Sequence, residues 1–279
     1  MIPLGATLAP RSFERSESQT KGGRLKLGTV TYLIAKDWDV PTIIKNLAEA
    51  QYDAVELRTT HKHGVEITLP AAQRAVVKKQ FADSPVKIGG MGTTCEFHSP
   101  DPAIVRKNID ETKEWVKLAQ DLGAPSVKVR PNGAPKTVPQ EKTLEQIGTS
   151  LAECGTFARD HGIVIQLEVH GDDVSSRVPN IKTIFDYGGN HPNVRACWNS
   201  NQNDLLDGGW DANFALLKNQ IGQVHMRDLF LEEYPWRKLV SSLAAMNFQG
   251  YCFAEIPESA DPIRVLRYFR GMFLAYQGL

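Results

Sequence analysis

This chain of 279 residues has no excess charge of either sign: thirty-two basic residues balance thirty-two acidic ones. A neutral balance supplies no broad positive field of the kind that non-specific nucleic-acid binding needs, so nucleic acid is a poor partner class. No apolar run approaches the ~20 residues of a membrane-spanning helix, and no membrane partner is expected. Cysteine is scarce too. Cys95, Cys154, Cys197 and Cys252 are scattered and form no C-x-x-C pair, which argues against a zinc or redox motif and for reduced thiols in a core. Neither G-x-G-x-x-G nor a P-loop follows the first strand candidate, so a doubly wound nucleotide-binding sheet lacks its usual signature.

What is present is a regular alternation. From Leu25 onward, short apolar strand candidates at 25–33, 52–58, 86–92, 126–130, 163–170, 193–199, 222–228 and 250–256 are separated by amphipathic stretches near 40–50, 70–82, 101–122, 139–161, 179–187, 211–219, 236–246 and 262–276. Pro102 and Pro262, each after an Asp, open two of these stretches, and Gly123 closes one. The third stretch sets Ile104, Ile109, Trp115 and Leu118 near one stripe, which reads as packing. Eight βα units without an internal linker predict a single-domain α/β protein, a (β/α)8 TIM barrel over 25–279, with reactive groups at the C-terminal ends of its strands. Residues 1–24, rich in Ser, Arg, Gly and Thr, read as a disordered leader or the remnant of a trimmed export signal. The chain is therefore expected to be cytoplasmic, or exported if a signal has been removed.

Side chains alternate along a strand, so the polar half of each strand can be read directly. In IVIQLEVH (163–170), Gln166, Glu168 and His170 oppose the apolar face. The same test sets aside Glu56 and Arg58; Ser126, Lys128 and Arg130; Cys197 and Asn199; Gln223, His225 and Arg227; and Phe253 and Glu255. If the barrel closes, Lys128, Glu168, Asn199, His225 and Glu255 face its axis near one rim. Burying such a group without compensation is prohibitive. One divalent metal ion satisfies it most simply, and an oxygen-rich set with a single imidazole suits Mn²⁺, Mg²⁺, Co²⁺ or Zn²⁺.

LEVHG (167–171), CWN (197–199), HMRD (225–228) and AEI (254–256), in that order, resemble the four metal-ligand positions of the xylose isomerase-like TIM-barrel superfamily. That superfamily includes sugar phosphate isomerases/epimerases, ketose 3-epimerases, inosose dehydratases and endonuclease IV. The resemblance implies Glu168, Asn199, His225 and Glu255 as metal ligands, with Glu168 and Glu255 moving a proton next to a carbonyl of a small-molecule sugar or polyol. It also implies the barrel fold, isomerase or epimerase activity, and pairing into a homodimer. The epimerases usually carry Asp where Asn199 stands. With Asn the set brings two negative charges instead of three, so the metal is held less tightly but is a stronger Lewis acid; alternatively Asn199 only hydrogen-bonds substrate. Lys128, Arg130 and Arg227 would neutralise developing negative charge or bind a phosphate or carboxylate.

His170 either contacts substrate or orients Glu168. His61 and His63, two apart after the second strand, and His98, after the third, are substrate-contact candidates that read almost as readily as solvated loop. Tyr32 and Trp38 offer flat faces to a sugar, although core or lid packing is the simpler reading. Competing functions are a lyase or dehydratase on the same scaffold, an endonuclease IV-like phosphodiesterase, for which the chain lacks the histidines and basic groove, and a sugar-binding barrel without activity.

Overall fold

A computed structural model describes residues 24–130, 132–171 and 174–279; of the expected leader, residues 1–23 lie outside them. The eight expected strands are β1 (Lys26–Val30), β2 (Ala54–Arg58), β3 (Lys87–Gly92), β4 (Ser126–Val129), β5 (Val164–Val169), β6 (Val194–Asn199), β7 (Ile221–Met226) and β8 (Tyr251–Ala254). They alternate with α1 (Val40–Glu49), α2 (Ala71–Ala82), α3 (Pro102–Leu122), α4 (Gln140–Asp160), α5 (Val178–Tyr187), α6 (Trp210–Leu217), α7 (Trp236–Ala245) and α8 (Pro262–Tyr276). Each strand pairs in parallel with the next, and β8 pairs with β1, which closes the barrel. Two short 3-10 turns, Val174–Ser176 and Gln202–Leu205, follow β5 and β6 and carry no periodic signal in the sequence.

Local chemistry sets the helix ends. Asp101 accepts a hydrogen bond from the Ala103 N–H with Pro102 in the first turn, and α3 stops at Gly123, whose φ of 78° is left-handed. Asp39 and Asp261 cap α1 and α8 in the same manner. One packing expectation is corrected: Ile104 is 46% exposed. The buried stripe of α3 runs instead through Val105, Ile109, Trp115 and Leu118, because Val105 precedes Ile109 by a helical i,i+4 step and Ile104 does not. All four cysteines are free and buried, as reduced core thiols should be. Among the described residues no helix is long and apolar enough to cross a membrane.

The main apolar core fills the shell between strands and helices, whereas the barrel interior holds only a small separate cluster of Val30, Ala54 and Phe253. Phe253 lies where side chains at Gly28 and Gly89 would otherwise stand, at 2.5 and 2.8 Å from the missing Cβ positions, and so fills the axis below the site. The rest of the interior is polar: Ser126, Lys128, Glu56, Glu168, Gln223 and His225 are all buried. Hydrogen bonds from β7 to β2 cross between strands that are not neighbours, which places these groups inside the barrel. A barrel normally fills this space with branched aliphatics.

The shell leaves little slack. A Cβ on Gly148 of α4 would stand 2.4 Å from the Ile184 carbonyl and 2.8 Å from Tyr187 Cβ on α5. Gly148→Ala, which in an open helix stabilises by ~1 kcal/mol, is therefore expected to destabilise by ~1–3 kcal/mol through overpacking, measured as a lower urea midpoint with an unchanged slope.

Candidate metal centre

At the C-terminal mouth, Glu168 and His225 are the penultimate residues of β5 and β7, Asn199 is the last of β6, and Glu255 follows β8 directly. Glu168, His225 and Glu255 each offer one ligand atom, and these atoms lie within 4.8 Å of one another. His225 Nδ1 stands 3.5 Å from Glu168 Oε1 and 3.7 Å from Glu255 Oε2. It is buried and has no hydrogen-bond partner. A bare imidazole nitrogen facing two carboxylates is the donor set a divalent cation takes, so these residues fit one. Asn199 Nδ2 donates to Glu168 Oε1 at 3.0 Å and to Glu255 Oε2 at 3.3 Å, bridging the two carboxylates. Turning that amide over would present Oδ1 to a cation instead.

The two glutamates are held differently. Lys128 Nζ donates to Glu168 Oε2 at 2.7 Å, with both side chains under a tenth exposed, so each oxygen of Glu168 already has a donor. The side chain of Glu255 is 18% exposed and has Asn199 as its hydrogen-bond donor. Burial pushes Glu168 up, but the Lys128 ammonium and the His225 imidazole outweigh it and hold its carboxyl well below the usual range. Burial pulls Lys128 down, and Glu168 and Glu56 more than reverse this, raising it. For His225, burial opposes the charged ring, and the Cys197 thiol, itself pushed up by burial, is uncharged near neutral pH. The carboxylates of Glu56 and Glu168 therefore set the His225 pKa well above its ordinary value.

The remaining candidates spread around the rim. His61 Nδ1 is 2.8 Å from the Thr31 hydroxyl, which also accepts the Arg58 N–H, so Nδ1 is engaged by that hydroxyl. Burial, with Arg58 and His63 nearby, pushes His61 down to about 4, so the ring is neutral near pH 7. Its ring stacks on Tyr32, which also carries the Arg58 guanidinium. His63 is structural: Nε2 meets the Arg58 carbonyl at 2.9 Å and Nδ1 accepts the Val65 N–H at 3.0 Å, leaving neither nitrogen for a ligand. His98 is half-buried with Nδ1 unpartnered. Arg130 and His170 are exposed just beyond β4 and β5, and Arg227 is half-buried beyond β7 with Nε unpartnered. None of these six side chains bonds directly to the Glu168–His225–Glu255 cluster in the described residues. Trp38 packs against the main core.

Sequence reasoning passed over Glu56. It is fully buried, its Oε2 lies 3.1 Å from His225 Nε2, and Gln223 Nε2 donates to the same oxygen at 2.6 Å. The strand alternation already set Glu56 opposite Val55 and Leu57. The missing signal was the facing strand KIGGMG, whose glycines make room for it.

The xylose isomerase-like TIM-barrel family matches residues 44–270 of this chain. No curated protein matches it by sequence. Among solved structures, D-psicose 3-epimerase from Clostridium cellulolyticum H10 with D-tagatose has a TM-score of 0.71 at 15% identity, covering 91% of this chain and 98% of that one. The 3-keto-D-glucoside 4-epimerase of E. coli gives 0.75 at 13%, over 90% and 100%. The IolI protein with a bound zinc atom gives 0.73 at 16%, over 90% and 98%. At such identities the likeness establishes the fold.

The loops bearing the rim are tied by a buried network. Tyr234, in the loop before α7, donates to Asp204 Oδ2 at 2.6 Å and accepts from the indoles of Trp198 and Trp210. Asp204 Oδ1 has no partner, and burial pushes this carboxyl up to about 7. A raised folded pKa gives stability that is complete below the unfolded value near 4 and is lost as pH rises through 7. At ~1.4 kcal/mol per pH unit that is on the order of 4 kcal/mol. Asp204→Asn is expected to flatten the decline in melting temperature between pH 5 and 8 that the parent shows, and an unchanged profile would remove Asp204 as its cause.

Proposed function

Because the chain belongs to the xylose isomerase-like TIM-barrel family, we propose that it is a divalent-metal-dependent enzyme that removes a proton next to a carbonyl of a sugar or sugar-like polyol, isomerising or epimerising it. The observation that carries this reading is the partnerless His225 Nδ1 set between the carboxylates of Glu168 and Glu255 at the mouth of the barrel. Glu168, His225 and Glu255 would hold the cation, with Asn199 as a fourth ligand through Oδ1 or as the amide that keeps the two carboxylates together. When bound, the ion supplies Lewis-acid polarisation of the substrate carbonyl. That similar structures include sugar epimerases supports a sugar substrate.

Each residue of the chain then has a definite task. Glu255, the more exposed and less engaged carboxylate, takes the proton. Lys128, buried and cationic, offsets the negative charge that develops on substrate oxygen. Neutral His61, with Nδ1 engaged by Thr31, would meet a substrate hydroxyl through Nε2, with Tyr32 providing a flat neighbour. His98, Arg130, His170 and Arg227, around the rim, would meet the outer part of a substrate, and His63 holds the loop that carries His61.

The asymmetry of the carboxylates favours a second reading, a lyase or dehydratase acting by β-elimination. Epimerisation by two glutamates needs a free base on each face of the substrate, yet both oxygens of Glu168 are engaged by Lys128 and Asn199. Elimination needs one base, and the carboxylic acid it forms on taking the proton can return that proton to the leaving group.

Proton NMR in D₂O with Mn²⁺ and D-psicose, D-tagatose or a 3-keto-glucoside separates the two. Metal-dependent deuterium entry at an inverted centre is expected for an epimerase, and release of the aglycone for a lyase. Glu255→Gln should slow either by ~10²–10⁴-fold. Exchange that proceeds equally without metal would overturn the proposal.

A further inference from the structure

We propose that Glu56 is the positioning residue of this centre: its carboxylate holds the imidazole of His225 so that Nδ1, not Nε2, is the nitrogen offered to a divalent cation. The inference rests on the metal-binding reading above.

Glu56 lies on β2 and His225 on β7, and they meet across the barrel interior with both side chains at or below 1% exposure. An ionised carboxylate only accepts hydrogen bonds. Facing Glu56 Oε2 at 3.1 Å, His225 Nε2 must keep its proton to make the bond. With that proton fixed on Nε2, Nδ1, which has no partner and faces Glu168 and Glu255, is the nitrogen whose proton a cation would displace. Gln223 pins the accepting oxygen from a second side: its Nε2 donates to Oε2 at 2.6 Å. The 3.3 Å approach of Gln223 Nε2 to His225 Nε2 is thus two donors converging on one acceptor.

β3 is built to admit this carboxylate. A Cβ at Gly92 would stand 2.8 Å from Glu56 Oε1, so a side chain there would crowd the carboxylate that Gly92 now leaves room for. Glu56 Oε1 meanwhile is buried without a donor. A carboxylate kept only for packing gains nothing from that geometry, since a neutral amide would fill the space without a buried charge. Setting the ring of a metal-binding histidine is the task that requires an acceptor-only group, and outer partners of this kind typically contribute 10–100-fold in metal affinity.

The test uses Mn²⁺ and Zn²⁺ alone, titrated into the full chain and into Glu56→Gln. In the variant the Zn²⁺ dissociation constant is expected to rise ~10–100-fold, and the Mn²⁺ constant by less, because loss of an aligned imidazole costs the nitrogen-preferring ion more. Circular dichroism and a melting temperature at or above the parent's would show the fold intact. Equal weakening of both ions would be a plain charge effect and overturns the positioning role, as does a change of under about twofold. Nitrogen-15 NMR of the Zn²⁺-loaded parent should find His225 protonated at Nε2 and metallated at Nδ1; the reverse overturns the proposal, and this arm stands even if the variant does not fold. A parent that binds neither ion overturns the metal reading and this inference together. A parent that binds both, with a variant that binds equally well, removes the role of Glu56 alone.

Discussion

The requirement that buried charge be compensated governs the interior of this barrel. Glu56, Glu168, Lys128 and His225 are all withdrawn from water, and none is tolerable there singly. They are held by one another: Lys128 with Glu168, Glu56 with His225 and Gln223, Asn199 between Glu168 and Glu255. The network leaves out one nitrogen, His225 Nδ1, and that omission is where a cation fits. Phe253 beneath the cluster closes the axis, so the charges face the C-terminal mouth.

From that constraint the two carboxylates acquire different chemistry. Glu168 sits between an ammonium and an amide, which holds it ionised. Glu255, one residue beyond the end of β8, keeps access to the mouth. Two glutamates that look equivalent along the chain are thereby made unequal by their neighbours. The rim around them is shaped by ordinary hydrogen bonding. Thr31 orients His61, and the Arg58 carbonyl and Val65 N–H fix His63. Tyr234 joins the loops after β6 and β7 through Asp204 and two indoles.

Much of this was legible in the chain itself. The recurrence of strand and amphipathic helix predicted eight βα units, and Asp101-Pro102, Gly123 and Asp261-Pro262 marked helix ends where they occur. Such signals are local, set by backbone sterics and capping, and so survive without knowledge of the fold. Strand alternation likewise set Glu168, Asn199 and His225 on the polar face that the barrel turns inward. Where the pattern was helical and the spacing loose, as at Ile104, the one-residue difference that separates a buried from an exposed face went unread.

The sequence by itself determined the architecture and the polar face of each strand, because periodicity and turn chemistry act over a few residues. Only the tertiary structure decided who meets whom. Glu56 lies 169 residues from His225 in the chain, and no local rule pairs them; closure of the barrel does. The same closure separated His61, held by the Thr31 hydroxyl, from His63, spent on its own loop, and bound Glu168 to Lys128 while leaving Glu255 partly exposed. Those are differences in burial and partner, properties of position in space that a residue's type and neighbours along the chain do not carry.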